Sequence, residues 1–395
     1  MIYLDHAATT PVAAEVLDAM LPWFSENYAN PGGIYRSGVK ARNAVNKARE
    51  QVAALLGAEA DEIYFTAGGT EADNWALRAV AENFGDKGRH IITTGIEHHA
   101  VLHTCEFLGQ NGFEITYLDV DADGLVHTED VERAIRPDTI LISMMFANNE
   151  IGTIQPIAEI GALASARGIL FHTDAVQAVG QIPLDVKRMQ IDLLSAGAHK
   201  IYGPKGVGCL YVRKGVKLGA LLHGGAQERS RRAGTENVPG IVGFGAAAAL
   251  AHRRLTEEMT AGDQPDGIRE VRTLRDYMIR RLEAEIPDCH LNGHRDRRLP
   301  GNVNMTFEGV EGESLLIRLD LEGICASAGS ACTSGSLKPS HVLLAIGLEP
   351  DRARSAVRFT LGVENTREEI DKTVETVKNT VAKLREMKQK GIQRV

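Results

Sequence analysis

The 395-residue chain is poor in cysteine, and its apolar runs are short. Its five cysteines, Cys105, Cys209, Cys289, Cys325 and Cys332, are odd in number, scattered, and never spaced as C-x-x-C. That argues against both a disulfide framework and a closed zinc site, and most of them read as small buried hydrophobes. The longest uncharged stretch, near Ile140 to Asn149, is too short to span a bilayer, and the N-terminus lacks a basic and apolar signal segment. A cytoplasmic protein with no membrane contact is therefore expected. Basic residues are the minority charge. The 44 Lys and Arg against 52 Asp and Glu give a formal net charge of -8, which argues against general nucleic-acid binding. The glycine loops Gly203-Pro-Lys-Gly-Val-Gly208 and His223-Gly-Gly225 have neither the order nor the spacing of a dinucleotide fingerprint or a P-loop, so a nucleotide enzyme is disfavoured.

What is present is an ordinary globular composition, with 44% hydrophobic and 24% charged residues, on a chain too long for one core. Short apolar runs at Glu62 to Thr66, His90 to Thr94, Phe113 to Leu118, Thr139 to Phe146, Ile169 to Thr173 and Asp192 to Ala196 read as strands. Segments of helical period alternate with them. Ala41 to Leu56, for example, places Val45, Ala48, Val52, Leu55 and Leu56 on one face and stops at Gly57. The fold class is thus α/β, with a mostly parallel sheet covered by helices. The turn-rich stretch Ala261 to Gly267 marks the entrance to a smaller α+β domain. It divides the chain into an N-terminal segment (1–15) packing with that domain, a large domain (16–260) and a small one (261–395). The small domain is expected to hold a charged helix over Ile268 to Ile286, strands at Val303 to Phe307 and Val357 to Leu361, a helix at Ser314 to Leu321, and a terminal helix from Thr366. The Lys- and Arg-rich stretch from Lys383 to Arg394 reads as its solvated end.

In an open α/β sheet, ligands gather beyond the carboxyl ends of the strands. Five such ends carry polar motifs in succession: Ala67-Gly-Gly-Thr-Glu71, Glu97-His-His99, Asn148-Asn-Glu150, Asp174-Ala-Val-Gln177 and Ala198-His-Lys200. Gly68, Gly69 and Thr70 before a helix can offer free N–H groups and a hydroxyl to an anion, although Thr70 reads equally as a simple N-cap. Asp174, held at a strand end, wants a cationic partner such as a pyridinium nitrogen. Lys200 sits where a desolvated amine can lose its proton and form a Schiff base. His99 and His103 share a helix face with His98 nearby. No third ligand is placed there by motif, so one histidine reads as a ring stacker and proton carrier rather than part of a zinc site.

Cys332 differs from the other cysteines. It lies in Ala326-Ser-Ala-Gly-Ser-Ala-Cys-Thr-Ser-Gly-Ser336, a run with little side chain to pack, whereas Cys209 sits in the apolar run Val207 to Val212. A reactive, accessible thiol is expected at Cys332. Cys325 reads as the end of a buried strand.

Taken together, Tyr3-Leu-Asp-His-Ala-Ala-Thr-Thr-Pro11, His199-Lys-Ile-Tyr-Gly-Pro-Lys205, Ser327-Ala-Gly-Ser-Ala-Cys-Thr-Ser334 and Val357-Arg-Phe-Thr-Leu-Gly362 resemble the cysteine desulfurases of the NifS and IscS type. Those are class-V aminotransferases, pyridoxal-phosphate (PLP) enzymes of the aspartate-aminotransferase fold (fold type I), and the resemblance covers nearly the whole chain. It implies that Lys200 forms the Schiff base with the cofactor, that Asp174 faces the pyridine nitrogen, and that His98 stacks on the ring. Gln177 and Asn149 would touch the ring oxygen or the substrate. Gly69, Thr70 and His199 would hold the phosphate, with Thr235 of Arg232-Ala-Gly-Thr-Glu-Asn237 reaching across from the second subunit of a homodimer. Arg358 and Asn30 would hold the substrate carboxylate, and Cys332 would take the sulfur as a persulfide. The family commonly has Ser where this chain has Gly197, so a hydroxyl donor to the phosphate is lost, with the Gly197 N–H or Ser195 as nearby substitutes. The cysteine loop matches the longer-loop subgroup, which passes sulfur to separate acceptors.

The resemblance therefore implies conversion of L-cysteine to L-alanine, with sulfur delivered to an iron–sulfur scaffold protein or to tRNA thiolation. The protein alone would hold no metal, although Cys332 is a ligand available to a cluster in transit. The rivals are a selenocysteine lyase or another fold-type I PLP enzyme, and a catalytically silent scaffold subunit of the same fold.

Overall fold

A computed structural model describes residues 1–260, 267–328 and 339–391. Twelve strands lie within them: β1 (Ile2–Tyr3), β2 (Ile63–Thr66), β3 (His90–Thr94), β4 (Glu114–Leu118), β5 (Thr139–Ser143), β6 (Leu170–Asp174), β7 (Leu193–Gly197), β8 (Gly208–Val212), β9 (Cys289–Leu291), β10 (Asn302–Phe307), β11 (Ile324–Cys325) and β12 (Ala356–Thr360). A seven-stranded sheet has the order β2-β8-β7-β6-β5-β3-β4. The pairs among β7, β6, β5, β3 and β4 are parallel, while β8 runs against both of its neighbours. Every residue of β3, β5, β7 and β8 is buried, as expected of strands covered on both faces; the edge strand β4 is partly exposed.

Sequence pattern finds the strands of this sheet to within a few residues, with one omission. The run Val207 to Val212 reads only as the setting of Cys209, whereas Gly208–Val212 is a strand. A parallel return from β7 would need a crossover of a dozen or more residues, usually helical. Only residues 198–207 separate β7 from β8, so the chain doubles back antiparallel. That short return, which begins with the 3-10 turn Ala198–Lys200, places Lys200 just beyond the carboxyl end of the sheet.

The helix Arg36–Leu56 begins five residues before its apolar stripe, because its first turn is largely solvent-facing and carries no periodic signal. It ends where Gly57 adopts φ 68° and donates its N–H to Ala53 and Ala54, a left-handed cap that glycine accepts without a Cβ clash. Its apolar face packs with the helix Val238–Thr260 against one side of the sheet. The helices Gly69–Phe84 and His99–Gln110 cover the other side.

A separate core gathers the helices Gly267–Glu285, Gly312–Leu321 and Arg367–Gln389 around the antiparallel sheet β12-β10-β9. Ile2 and Leu4 insert into this second core, and β1 pairs in parallel with β11. The chain's first residues therefore pack on its last third and lead from there to the large sheet. A smaller cluster joins the two bodies, with Ile96, Met145 and Ile151 meeting Val342, Leu343 and Ile346. No helix of the described residues is long and apolar enough to cross a membrane.

Candidate active site

The five strand-end motifs converge on one cavity of about 310 Å3. Its lining includes Gly69, Thr70, His98, Asn149, Asp174, Gln177, His199, Lys200 and Arg358, residues drawn from both bodies of the fold. Asn30 and Thr235 are exposed and do not line it in this single chain. Cys332 and the rest of its glycine-serine run from residue 329 onward lie outside the described residues.

At one end, the helix Gly69–Phe84 points its N-terminus into the cavity. A Cβ on Gly69 would come within 2.5 Å of Val176 Cγ2, so only glycine lets the turn approach this closely. The His199 Nδ1 lies 3.2 Å from the Thr9 hydroxyl. Burial, aided by Lys200 and Lys205, pushes the His199 imidazole down to about 4, so the ring is neutral; in the tautomer whose Nδ1 accepts from Thr9, its Nε2 carries the proton and can donate. Ser195 does not replace the hydroxyl missing at Gly197: it is fully buried and lies 3.1 Å from His172 Nε2.

Across the cavity floor stands Asp174, 7% exposed, whose carboxylate accepts a 3.0 Å bond from the Val176 N–H. Burial raises this carboxyl, while His98, the Val176 bond and Lys200 oppose the rise. The Lys200 amine donates to the carbonyls of Ala7 and, at 2.7 Å, Ala8. Gln177 donates to Ala7 as well, at 3.1 Å. The N-terminal segment thus forms one wall, a feature invisible to local sequence pattern.

His98 caps the helix His99–Gln110 by accepting the Ala100 N–H at Nδ1, 3.1 Å away. This fixes Nε2 as the ring nitrogen that can carry a proton. His99 stacks on His103 with ring centroids 5.0 Å apart, and its ring also lies 4.9 Å from that of His341. Among the described residues, the acidic, cysteine or histidine trio whose ligand atoms converge is Asp73, His98 and Asp174; it includes neither His99 nor His103. Arg358, 2% exposed, donates from Nη1 to the Asn149 carbonyl at 2.8 Å and from Nη2 to Asp5 at 2.9 Å.

Three lining acids escape a reading by role: Asp73, Glu97 and Glu150. Glu97 lies in a strand-end motif that signals an acid. Asp73, inside a helix, gives no such signal. Burial raises all three carboxyls, Glu97 to about 8. Asp73 Oδ1 and Glu97 Oε2 are buried and lack hydrogen-bond partners.

The donor set fits pyridoxal phosphate. A helix N-terminus with a neutral histidine beside it suits the phosphate, a buried carboxylate suits a pyridinium nitrogen, and an amine at the cavity wall suits the aldehyde.

A family model described as Aminotransferase class-V matches residues 2–373. The cysteine desulfurase IscS of Methanosarcina thermophila is 56% identical over 386 residues, 98% of this chain and 93% of its own. The cysteine desulfurase IscS of Dictyoglomus turgidum is 52% identical, covering 97% of this chain and 95% of its own. Among solved structures, a NifS-like protein superimposes with a TM-score of 0.89 at 38% identity, over 96% of this chain and 99% of its own. A structure described as SspA in complex with cysteine gives 0.80 at 39% identity, over 93% and 100%.

Proposed function

The chain belongs to the class-V aminotransferases and, among them, is a pyridoxal-phosphate-dependent cysteine desulfurase; we propose that it moves the sulfur of L-cysteine onto Cys332 and releases L-alanine. The observation that carries the site assignment is that Lys200, Asp174, His98 and Arg358 line one cavity although they come from four separate stretches of chain.

In this reading Gly69, Thr70 and His199 hold the phosphate, Asp174 faces the ring nitrogen, His98 lies over the ring, and Gln177 and Asn149 meet the ring oxygen or the substrate. Bound there, pyridoxal phosphate supplies an electron sink that weakens the C–S bond of cysteine. Arg358 holds the substrate carboxylate in the planar fork that guanidinium offers. Asp5 and the Asn149 carbonyl pre-orient that fork. The Lys200 amine, seated against Ala7 and Ala8, takes and returns protons at the substrate, with His98 Nε2 as the second carrier. The Cys332 sulfur then attacks the substrate sulfur. An S–S bond forms, the substrate C–S bond breaks, the carbon left behind gains a proton to become alanine, and Cys332 carries a persulfide. Atoms and electrons balance without an added oxidant.

The same reading makes the protein a homodimer, with Thr235, exposed in a single chain, completing the partner's phosphate site. Asn30, exposed likewise, completes the carboxylate grip on the assembled enzyme. The sulfur passes to an iron–sulfur scaffold protein or another acceptor in the cytoplasm, in keeping with the IscS name of the relatives. Lys200→Ala tests the assignment. The variant loses the visible absorbance of covalently held cofactor, and alanine production falls by roughly a thousandfold or more. Retained alanine production from cysteine would refute it.

A further inference from the structure

Four acids, Asp73, Glu97, Glu150 and Asp174, line the cavity, and Lys200 and Arg358 are the lysine and arginine among its lining residues. Two of the acids are close neighbours. A carboxylate oxygen of Asp73, one of Asp174 and a ring nitrogen of His98 all lie within 4.8 Å of one another. Asp73 is 1% exposed, and its Oδ1 has no hydrogen-bond partner.

A second imidazole near Asp73 is that of His172, whose Nε2 lies 3.6 Å away, beyond hydrogen-bond range. That imidazole is itself fully buried between two hydroxyls, Ser143 at 2.9 Å and Ser195 at 3.1 Å. Burial pushes it down to about 3, so it stays neutral and brings no charge. Asp174, by contrast, has the Val176 N–H on its carboxylate and feels both His98 and Lys200. Of two carboxyls this close in a dry site, one keeps its proton, and the one without a cation is the better holder.

We propose that Asp73 is a positioning residue for Asp174, holding a proton so that the pair carries one negative charge, located on the carboxylate that meets the cofactor ring. The proposal rests on the reading of Asp174 as the ring-nitrogen partner. Burial first and the Asp174 charge second raise the Asp73 carboxyl against the opposing contact of the Ser195 hydroxyl, with Glu97 adding to the rise. A neutral Asp73 leaves the whole attraction of the floor for the ring nitrogen on one oxygen pair, with no second anion to compete for its proton or to repel Asp174 from its seat.

The test is infrared difference spectroscopy of the holoenzyme near neutral pH, parent minus Asp73→Asn. A protonated-carboxyl band in the parent that disappears in the variant is expected. An ionised-carboxylate band in its place overturns the proposal. Asp73→Ala supplies the same difference should the first variant fail to fold. In parallel, Asp73→Asn, neutral and isosteric, should keep pyridoxal phosphate affinity within about threefold of the parent; a loss of about tenfold or more would show that the charge of Asp73 is needed. Asp174→Asn separates the underlying reading from the inference. If it leaves cofactor affinity and absorbance unchanged, Asp174 is not the ring partner, whatever the Asp73 band shows.

Discussion

The guanidinium of Arg358 sits 2.9 Å from the carboxylate of Asp5, a residue 353 positions earlier in the chain. The contact closes the site, because β12 carries Arg358 from the smaller body while Asp5 bridges to the same strand at Thr360. A second contact, from Arg358 to the Asn149 carbonyl, ties that strand to the large sheet. Arg358→Lys keeps the charge but loses the planar fork, so KM for cysteine should rise by about tenfold or more with a smaller change in kcat. Asp5→Asn retains a hydrogen-bond acceptor and should raise KM by only about two- to fivefold. Steady-state kinetics on both variants check this; a kcat loss without a KM change would remove Arg358 from substrate binding.

Cys332→Ala should bind pyridoxal phosphate and change its absorbance on adding cysteine, yet release almost no alanine and carry no persulfide. Cys325 is the control. It ends β11, half buried and paired in register with Tyr3, so Cys325→Ala should keep most activity at a stability cost of about 1 kcal/mol. Mass spectrometry after one turnover reads the outcome. Persulfide mass on Cys332→Ala, or its loss from Cys325→Ala, would reverse the assignment.

Gly197 has room for the side chain it lacks. A Cβ there would stand 3.8 Å from the Gly69 nitrogen and 3.7 Å from His199 Cδ2, in ordinary contact, and its φ of -133° with ψ of 131° suits any residue. Gly197→Ser should therefore add a hydroxyl at the phosphate turn and tighten cofactor binding by about tenfold, the effect of one hydrogen bond to a charged group. Titration of the apoenzyme with pyridoxal phosphate measures it. Unchanged or weaker binding would mean that the turn is already saturated with donors.

Glu97 makes stability depend on pH. Burial raises its carboxyl to about 8, although Thr94 at 2.7 Å and the Met145 N–H at 2.9 Å favour its ionised form. Between the ordinary carboxyl range and pH 8 the folded state holds a proton that the unfolded state has lost. The stabilisation is complete below about pH 4.5 and disappears as pH rises to about 8, with a slope of at most about 1.4 kcal/mol per pH unit. Glu97→Gln cannot ionise, so its melting temperature relative to the parent should climb steadily from pH 5 to pH 8. A pH-independent difference would place the proton elsewhere.

Much of the site is legible in the sequence because its parts are local. A glycine turn before a helix, an acid ending an apolar run, and a lysine in a polar turn each announce themselves within a few residues, and parallel strands bring all such ends to one edge of the sheet. The cysteine-loop motif is equally local: its small residues point to an accessible thiol, and the resemblance to cysteine desulfurases implies what that thiol does.

Tertiary structure decided what no local pattern encodes. Strand β8 runs antiparallel because the return from β7 is too short for a crossover, and that constraint is what seats Lys200. Ala7 and Ala8 reach the lysine only through the N-terminal segment that Ile2 and Leu4 anchor in a core formed by the last third of the chain. Asp73 and Glu97 acquire their character from burial and from each other's neighbours, quantities fixed by packing across hundreds of residues. Sequence thus determined which groups stand at the strand ends, and the fold determined their company and protonation, because desolvation and Coulomb energy depend on distance in space rather than separation along the chain.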